Sequence, residues 1–350
     1  MTDTMLAGRL DVRNKTFAVE EVPVPEPGPG EVRIKVKAAG VCLSDVHLID
    51  GSLNPLFLAS DKVTLGHEVS GVIDALGPDV PGGWAAGQRV LLQAGERCGR
   101  CANCVRFVDP CQQVRTRGVD YDGGWAEYAL AAQHTLVAIP DDLPFEQAAI
   151  IPDAVSTPWA AIVVTGRARP AVPVGVWGVG GLGAHAVQLL RLVGAAPIIA
   201  VDPIEAARER ARDFGADLAL DPAAPDLRDR LLAATGGRGL DLALDMAGVP
   251  AVREQAVSCL APGGRLVLVG LTPAPLTLTH SIPFSYFGQQ ILGHYGSGPG
   301  HVDQLVDLTR HRRLDLTRSI SGTVPLADAA AAVGRLERKE GNPVRLILTP

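Results

Sequence analysis

The stretch from Val174 to Asp202, V-G-V-W-G-V-G-G-L-G-A-H-A-V-Q-L-L-R-L-V-G-A-A-P-I-I-A-V-D, constrains this chain more than any other. It begins with an apolar strand-like run, Val174 to Trp177. Gly178, Gly180 and Gly183 follow at G-x-G-x-x-G spacing. A helical period comes next, with Ala186, Leu189, Leu190 and Val193 on one face. A second apolar run, Pro197 to Val201, ends on Asp202. Strand, tight turn, helix, strand and an acid about twenty residues on form the context in which such glycines bind a dinucleotide. Gly178 turns the chain out of the strand, Gly180 leaves the backbone open to a pyrophosphate, and Gly183 lets the helix pack on the sheet. The helix N-terminus offers free N–H groups and partial positive charge to phosphate. Asp202 can accept from both ribose hydroxyls and repels a 2′-phosphate, which favours NAD over NADP. Two plainer readings compete. One is an ordinary glycine-rich turn, which leaves Asp202 unexplained. The other is a membrane span, since residues 170–190 carry no Asp, Glu, Lys or Arg, but the glycines, two prolines, His185 and Gln188 of that stretch argue against it.

A length of 350 residues suits two domains. A net charge of −6 provides no electrostatic footprint for nucleic acid or anionic lipid, so neither is an expected partner. The opening M-T-D-T-M-L-A-G-R-L-D lacks the basic and apolar regions of a secretory signal, which makes a cytoplasmic location the expectation. In such a reducing compartment clustered cysteines bind metal more readily than they form disulfides.

Up to about residue 139 the chain reads as β-rich, with Val32, Ile34 and Val36 alternating on one strand and glycine-rich turns recurring. From about 157 strands and helices alternate. Candidate strands at 174–177, 197–201, 217–220, 241–245, 265–270 and 290–294, with helices such as 204–214 and 251–260 between them, predict a doubly wound parallel sheet. Helices near 301–311 and 327–338 and a strand at 344–348 are expected to return to the first domain. The predicted division is 1–156 with 295–350, and 157–294, with a cysteine lobe at about 95–115.

Two groups of residues have the chemistry of metal ligands. Cys42, in G-V-C-L-S-D, and His67, in G-H-E, supply the S and N donors zinc favours. A catalytic zinc keeps three protein ligands and an open position, and Asp153 is the candidate third, with Glu68 a nearby carboxylate. Taken singly, Cys42 reads as a buried small hydrophobe and His67 as a core histidine. The second group, Cys98, Cys101, Cys104 and Cys111, is compact. Four thiolates close a tetrahedral site and leave no place for substrate, so this zinc would be structural. An iron–sulfur cluster or a redox disulfide pair is the alternative. Cys259 reads as a core residue in a helix.

Taken together these residues resemble the zinc-dependent alcohol dehydrogenases of the medium-chain dehydrogenase/reductase superfamily, over essentially the whole chain. The strongest match is G-H-E-V-S-G-V-I-D-A-L-G, with Gly71 and Gly77 at the spacing of the family signature, joined by the run from Gly40 to His47, the cysteine lobe and the glycine fingerprint. The resemblance implies an α/β protein in which a GroES-like β-rich catalytic domain accompanies a Rossmann domain, with the active zinc in the cleft between them. It implies Cys42, His67 and Asp153 as the catalytic zinc ligands, with Glu68 approaching the metal. Ser44 would take the alcohol proton, His47 would pass it to solvent, and Asp45 would orient His67. Thr157 would lie near the nicotinamide, and Arg345 would meet the pyrophosphate. Gly178, Gly180, Gly181, Leu182, Gly183, Asp202, Val269 and Gly270 would line the rest of the cofactor. Three positions depart from the family. Six residues, not seven, separate Cys104 from Cys111, which demands a tighter loop or loses the metal. Leu43 replaces a basic residue, and Ala94 replaces a bulky aromatic.

The implied activity is the interconversion of an alcohol, secondary or bulky, with its ketone or aldehyde, using NAD and two zinc ions per chain. The implied assembly is a homodimer or homotetramer. Rival readings are a zinc-free quinone or enone reductase, a reductase of an activated C=C or iminium group, and a non-catalytic NAD-binding zinc protein. Leu56, Phe57, Trp125, Trp159 and Tyr295 are candidates either for an apolar substrate pocket or for core.

Overall fold

The structure is a computed structural model that describes residues 3–108 and 110–350. The chain divides into two compact units, Met1–Ala154 with Gly298–Pro350, and Val155–Ser297.

The first unit opens with the antiparallel pair β1 (Thr4–Asp11) and β2 (Thr16–Pro23). The long β3 (Glu31–Val41) follows, with Val32, Ile34 and Val36 buried and Lys35 and Lys37 exposed, the period of two that drives one face into a core. Helix α1 (Leu43–Asp50) starts directly after it, and β4 (Lys62–Thr64) pairs with β1. Strands β5 (Val69–Leu76) and β6 (Arg89–Leu92) continue the main sheet. The short pair β7 (Gly95–Glu96) and β8 (Arg115–Thr116) brackets the cysteine lobe, which holds the single turn α2 (Ala102–Val105). Strands β9 (Tyr128–Ala132) and β10 (Leu136–Ala138) follow, then α3 (Phe145–Ala149).

Residues 145–165 form a nearly continuous helical run that the periodicity does not announce. Helix α4 (Ser156–Ala160) is flanked by π-helical turns at Ile151–Val155 and Ala161–Thr165. Ser156, Thr157, Pro158 and Ala160 are all buried, so no polar face marks the helix, and Thr, Pro and Val are poor helix formers.

The second unit is built on one parallel sheet. Its strands are β11 (Val174–Trp177), β12 (Ile198–Val201), β13 (Leu218–Leu220), β14 (Leu240–Asp245), β15 (Leu260–Leu268) and β16 (Gln290–Gly293). Helices α5 (Gly181–Val193), α6 (Glu205–Asp213), α7 (Leu227–Ala234), α8 (Pro250–Ser258) and α9 (Ser281–Tyr286) lie between them in sequence. Among the described residues the order is β13-β12-β11-β14-β15-β16, a doubly wound sheet that reverses direction between β11 and β14. The central strands are apolar on both faces because helices cover both. Trp177, Ile199, Val201, Leu244 and Leu266 are fully or almost fully buried. Cys259 is core as expected, but it caps α8 rather than lying inside it.

The chain then returns to the first unit through α10 (His301–Arg310), β17 (Ile320–Pro325), α11 (Ala329–Glu337) and β18 (Arg345–Thr349). Strand β18 inserts between β17 and β3, completing the order β10-β6-β5-β3-β18-β17, with β9 also on β3. The alternation that marks β3 is absent from β18, whose Leu346, Ile347 and Leu348 are all fully buried. No helix among the described residues is long and apolar enough to cross a membrane.

Candidate active site and metal centres

Strand pairing assembles the first metal group. Ala39 on β3 lies opposite Val69 on β5, and one step on Gly40 N donates to Glu68 O at 2.8 Å. Cys42 therefore emerges beside His67 and Glu68. On the other edge of β3, Val41 faces Leu346 of β18, which brings in Arg345. The run after α3 supplies Asp153; Ser70 on β5 donates to the Phe145 carbonyl at 2.7 Å and ties that run to the sheet.

Cys42 is the extended residue that caps α1, with φ −108° and ψ 156°, so its thiol stands at the positive end of a helix. Asp45 completes the start of that helix by accepting from Cys42 N at 2.8 Å. Its other oxygen faces His67 Nδ1 at 3.5 Å. Asp45 is fully buried, and this contact turns His67 Nε2 toward Asp153 Oδ2, 3.4 Å away. Cys42 Sγ lies 3.6 Å from the same Asp153 oxygen. A tetrahedral zinc with ordinary bond lengths has N···O and S···O edges of about 3.4 and about 3.6 Å. The observed separations fit a zinc ligand set. An imidazole whose second nitrogen rests on a carboxylate is also the usual form of a ligating histidine.

Glu68 stands apart from those three. Its Oε1 is held by Arg345 Nη2 at 2.9 Å and Ala154 N at 3.1 Å, while Oε2 is buried with no hydrogen-bond partner among the described residues. Its ligand atom still lies within 4.8 Å of those of Cys42, His67 and Asp153. Burial pushes the Glu68 carboxyl up to about 8, against the pull of the Arg345 charge. Burial draws His67 down, but the carboxylates of Asp45 and Asp153 outweigh it and hold the imidazole well above an ordinary histidine. Burial likewise lowers Arg345, and the Glu68 charge more than restores it.

Ser44 Oγ is 3.4 Å from His67 Nε2, beside the same cluster. His47 follows one turn later on α1 and is half-buried. Arg345, read from the sequence as a phosphate contact, is buried against Glu68, and its Nη1 donates to Val41 O at 3.3 Å. That pairing carried no local signal, since the two residues are far apart in sequence.

In the cysteine lobe Cys98 Sγ lies 3.9 Å from Cys104 Sγ and 3.6 Å from Cys111 Sγ, and Cys101 Sγ lies 3.9 Å from Cys111 Sγ. A zinc–thiolate tetrahedron has S···S edges of about 3.8 Å. Amides of Cys98, Cys101, Cys104 and Gln113 point at these sulfurs, each at 3.4 Å. Those of Cys104 and Gln112 lower the Cys101 thiol to about 6, whereas burial pushes Cys111 up to about 11. The short interval before Cys111 is closed by Val108 N on Asn103 O and by Asn103 Nδ2 on Pro110 O, each at 2.8 Å. The tighter loop thus keeps all four sulfurs together.

The glycines, Asp202, Val269 and Gly270 lie at the carboxyl ends of the parallel strands, where such sheets bind ligands. Gly178, with φ +87°, turns out of β11, and Gly180, Gly181, Leu182 and Gly183 open α5. A Cβ on Gly183 would fall 1.7 Å from Gly178 O, whereas one on Gly180 meets nothing within 4 Å. Asp202 follows β12; its Oδ2 accepts from Val179 N at 2.7 Å and its Oδ1 from Ile204 N at 2.9 Å, which fixes the carboxylate beside the glycine turn. Val269 and Gly270 follow β15 and both donate to Asp245 O, at 3.0 and 2.8 Å. Thr157 is buried in α4. The sequence reading missed the pair formed by Asp245 and Arg253, 2.9 Å apart and buried. Asp245 also accepts from Ala247 N and Gly248 N, and Arg253 Nη2 donates to Gly270 O at 3.2 Å. The signal available was an acid ending an apolar strand, as in Asp202.

Of the apolar pocket candidates, Trp125 is fully buried core and Trp159 is half-buried on α4, whereas Leu56, Phe57 and Tyr295 are exposed. Leu43 is exposed and Ala94 half-buried.

Comparison with known proteins agrees with this architecture. Residues 28–141 match the alcohol dehydrogenase GroES-like domain, and residues 181–310 match the zinc-binding dehydrogenase family. The chain is 36% identical over 286 residues to an alcohol dehydrogenase of Geobacillus stearothermophilus, covering 78% of this chain and 80% of that one. It is 34% identical over 296 residues to the NDMA-dependent alcohol dehydrogenase of Amycolatopsis methanolica, covering 78% of each. The acetophenone reductase of Geotrichum candidum, solved in complex with NAD, superposes with a TM-score of 0.86 at 27% identity, covering 100% of this chain and 98% of that one. With a GroES-like domain, a doubly wound nucleotide-binding sheet and relatives of this identity and coverage, the chain belongs to the zinc-binding alcohol dehydrogenases of the medium-chain dehydrogenase/reductase superfamily.

Proposed function

We propose that this protein is a zinc-dependent, NAD-linked alcohol dehydrogenase that interconverts an alcohol, secondary or bulky, with its ketone or aldehyde. The observation that carries this reading is the buried convergence of Cys42 Sγ, His67 Nε2 and Asp153 Oδ2 at 3.4–3.6 Å, with Asp45 behind the imidazole. In this reading Cys42, His67 and Asp153 hold the zinc, and Glu68 stands by as a carboxylate that can approach it. Zinc, when bound, supplies a Lewis acid for the alcohol oxygen, and NAD supplies the hydride acceptor.

The chain's own residues do the rest. Ser44 lies beside the ligand cluster, where its hydroxyl can accept the alcohol proton. His47, on the same helix and half-buried, can carry that proton outward. With the hydride left to NAD, the one proton released per alcohol oxidised would leave by Ser44 and His47. Asp202, already turned toward the glycine loop, would take the adenine-ribose hydroxyls and favour NAD over NADP. Cys98, Cys101, Cys104 and Cys111 hold a second, structural zinc in this reading. A cytoplasmic location and a homodimer or homotetramer belong to the same reading. An apolar surface supports self-association: Ile282 and Tyr286, one turn apart on α9, are each 82% exposed, a few residues before the edge strand β16.

The test is metal analysis of the purified protein together with an absorbance assay of NAD and NADP reduction over primary, secondary, cyclic and polyol alcohols. Two zinc ions per chain and NAD-linked oxidation lost in Cys42→Ser support the proposal. A zinc-free protein, or full turnover in Cys42→Ser, refutes it.

A further inference from the structure

His294 follows β16 directly and uses both ring nitrogens. Its Nδ1 is 2.9 Å from Thr165 Oγ1, and its Nε2 is 3.1 Å from the Thr157 carbonyl oxygen. A carbonyl only accepts, so Nε2 carries the proton and donates. The bond clamps the backbone of α4 to the end of an outer strand. The second bond fixes the π-helical turn Ala161–Thr165, a widened turn of a kind common at functional sites. His294 N also donates to Leu268 O at 3.0 Å, which joins β16 to the end of β15 at this level.

The position of this clamp gives it a consequence. A doubly wound sheet receives a dinucleotide across the carboxyl ends of its strands, one mononucleotide on each half. The glycine turn and Asp202 occupy the half made of β11, β12 and β13, which accounts for the adenosine end. The other mononucleotide falls to the half made of β14, β15 and β16. His294 stands at the carboxyl end of that half, bonded to the buried helix α4.

We propose that His294 is a positioning residue for the nicotinamide end of the cofactor: by holding the Thr157 backbone it sets the depth of the floor on which the ring rests. It acts through α4. The inference rests on the dehydrogenase reading above and adds to it a residue that sequence motifs do not mark.

The test compares binding of NADH with binding of ADP-ribose, which lacks the nicotinamide, to the zinc-loaded full chain by titration calorimetry. His294→Leu removes both bonds, and one hydrogen bond lost from a buried carbonyl is worth about a tenfold change in affinity. NADH binding is expected to weaken about tenfold while ADP-ribose binding stays within about twofold. His294→Gln, whose amide can reach the Nε2 position, is expected to recover NADH binding to within about threefold, and His294→Asn, which mimics only Nδ1, is not. An unchanged ratio of the two affinities in His294→Leu, or an equal loss of both, overturns this inference alone. A wild-type protein that binds neither compound overturns the dehydrogenase reading with it.

Discussion

The indole N–H of Trp125 donates to the carbonyl of Gly40 at 2.9 Å. The same fully buried ring lies against Gly66, where an added Cβ would fall 2.2 Å from Trp125 Cδ1. Gly40 precedes Cys42 by two residues and Gly66 precedes His67 by one. A single side chain thus supports both segments that present sulfur and nitrogen to the candidate zinc. Trp125→Phe keeps most of the volume and removes the donor, so it is expected to cost about 1–3 kcal/mol and to weaken zinc at Cys42 while sparing the cysteine lobe. Urea unfolding with metal analysis checks this, and unchanged stability with both zinc ions retained would contradict it.

Gly180 and Gly183 separate the needs of the ligand from those of the fold. Alanine at 183 would drive its Cβ into Gly178 O, so Gly183→Ala is expected to destabilise the protein by at least about 1–3 kcal/mol. Alanine at 180 meets open space and a φ of −81°, so the melting temperature should hold. Cofactor affinity should nevertheless fall at least about tenfold in Gly180→Ala, because the methyl occupies the approach to the pyrophosphate. Thermal melts and NADH titration of both variants decide the matter; a Gly180→Ala protein that binds NADH normally would remove that residue from the site.

Arg253 is the buried partner of Asp245, which also holds the amides of Ala247 and Gly248. Arg253→Ala leaves a buried carboxylate without its cation and is expected to cost about 3–5 kcal/mol. Denaturant unfolding measures it. A loss below about 1 kcal/mol would mean that the loops after β14 and β15 do not depend on this pair.

Zinc must displace a proton from His67, because a ligating imidazole is neutral. The flanking carboxylates hold this histidine well above its ordinary value, so the metal-free site is protonated near neutrality. Affinity for zinc at Cys42, His67 and Asp153 is therefore expected to rise with pH through the neutral range. The sign for the metal-free fold is opposite. A histidine raised in the folded state contributes stability fully below its unfolded value and loses it as pH climbs through the folded one. Glu68, raised to about 8 in the folded state, adds a loss of stability in the same direction between its unfolded value and that pH. Competition titrations with a chelator, and melts of the metal-free protein across the same range, test both signs; zinc affinity independent of pH would reject the assignment of His67.

Amides directed at the sulfurs of Cys98, Cys101 and Cys111 favour thiolate there, and the Cys101 thiol is the one drawn down to about 6. Cys101→Ser is expected to release one zinc and lower Tm by about 5 °C or more. The remaining metal should still support turnover in the fraction that stays folded. Retention of two zinc ions and an unchanged Tm would argue against a structural metal in the lobe.

The helical run 145–165 shows where local reading stops. Its buried Ser156, Thr157 and Pro158 present neither a polar face nor good helix formers, so tertiary burial, not propensity, makes it helical. His294 and its two bonds depend on that run and were invisible for the same reason. Asp202 was legible because an acid after an apolar strand lies at a fixed distance from the glycines. The hydrogen bonds that orient it were not, since Val179 N reaches it only when β11 and β12 pair.

Sequence alone determined the doubly wound sheet, the glycine turn and the compact set of Cys98, Cys101, Cys104 and Cys111, because periodicity, turn chemistry and chelate spacing are short-range properties of the backbone. Tertiary structure decided that Cys42, His67 and Asp153 meet, that Arg345 pairs with Glu68, and that Trp125 supports two ligand segments at once. Those contacts join residues far apart along the chain, and their distances exist only once β3 has taken β5 on one edge and β18 on the other.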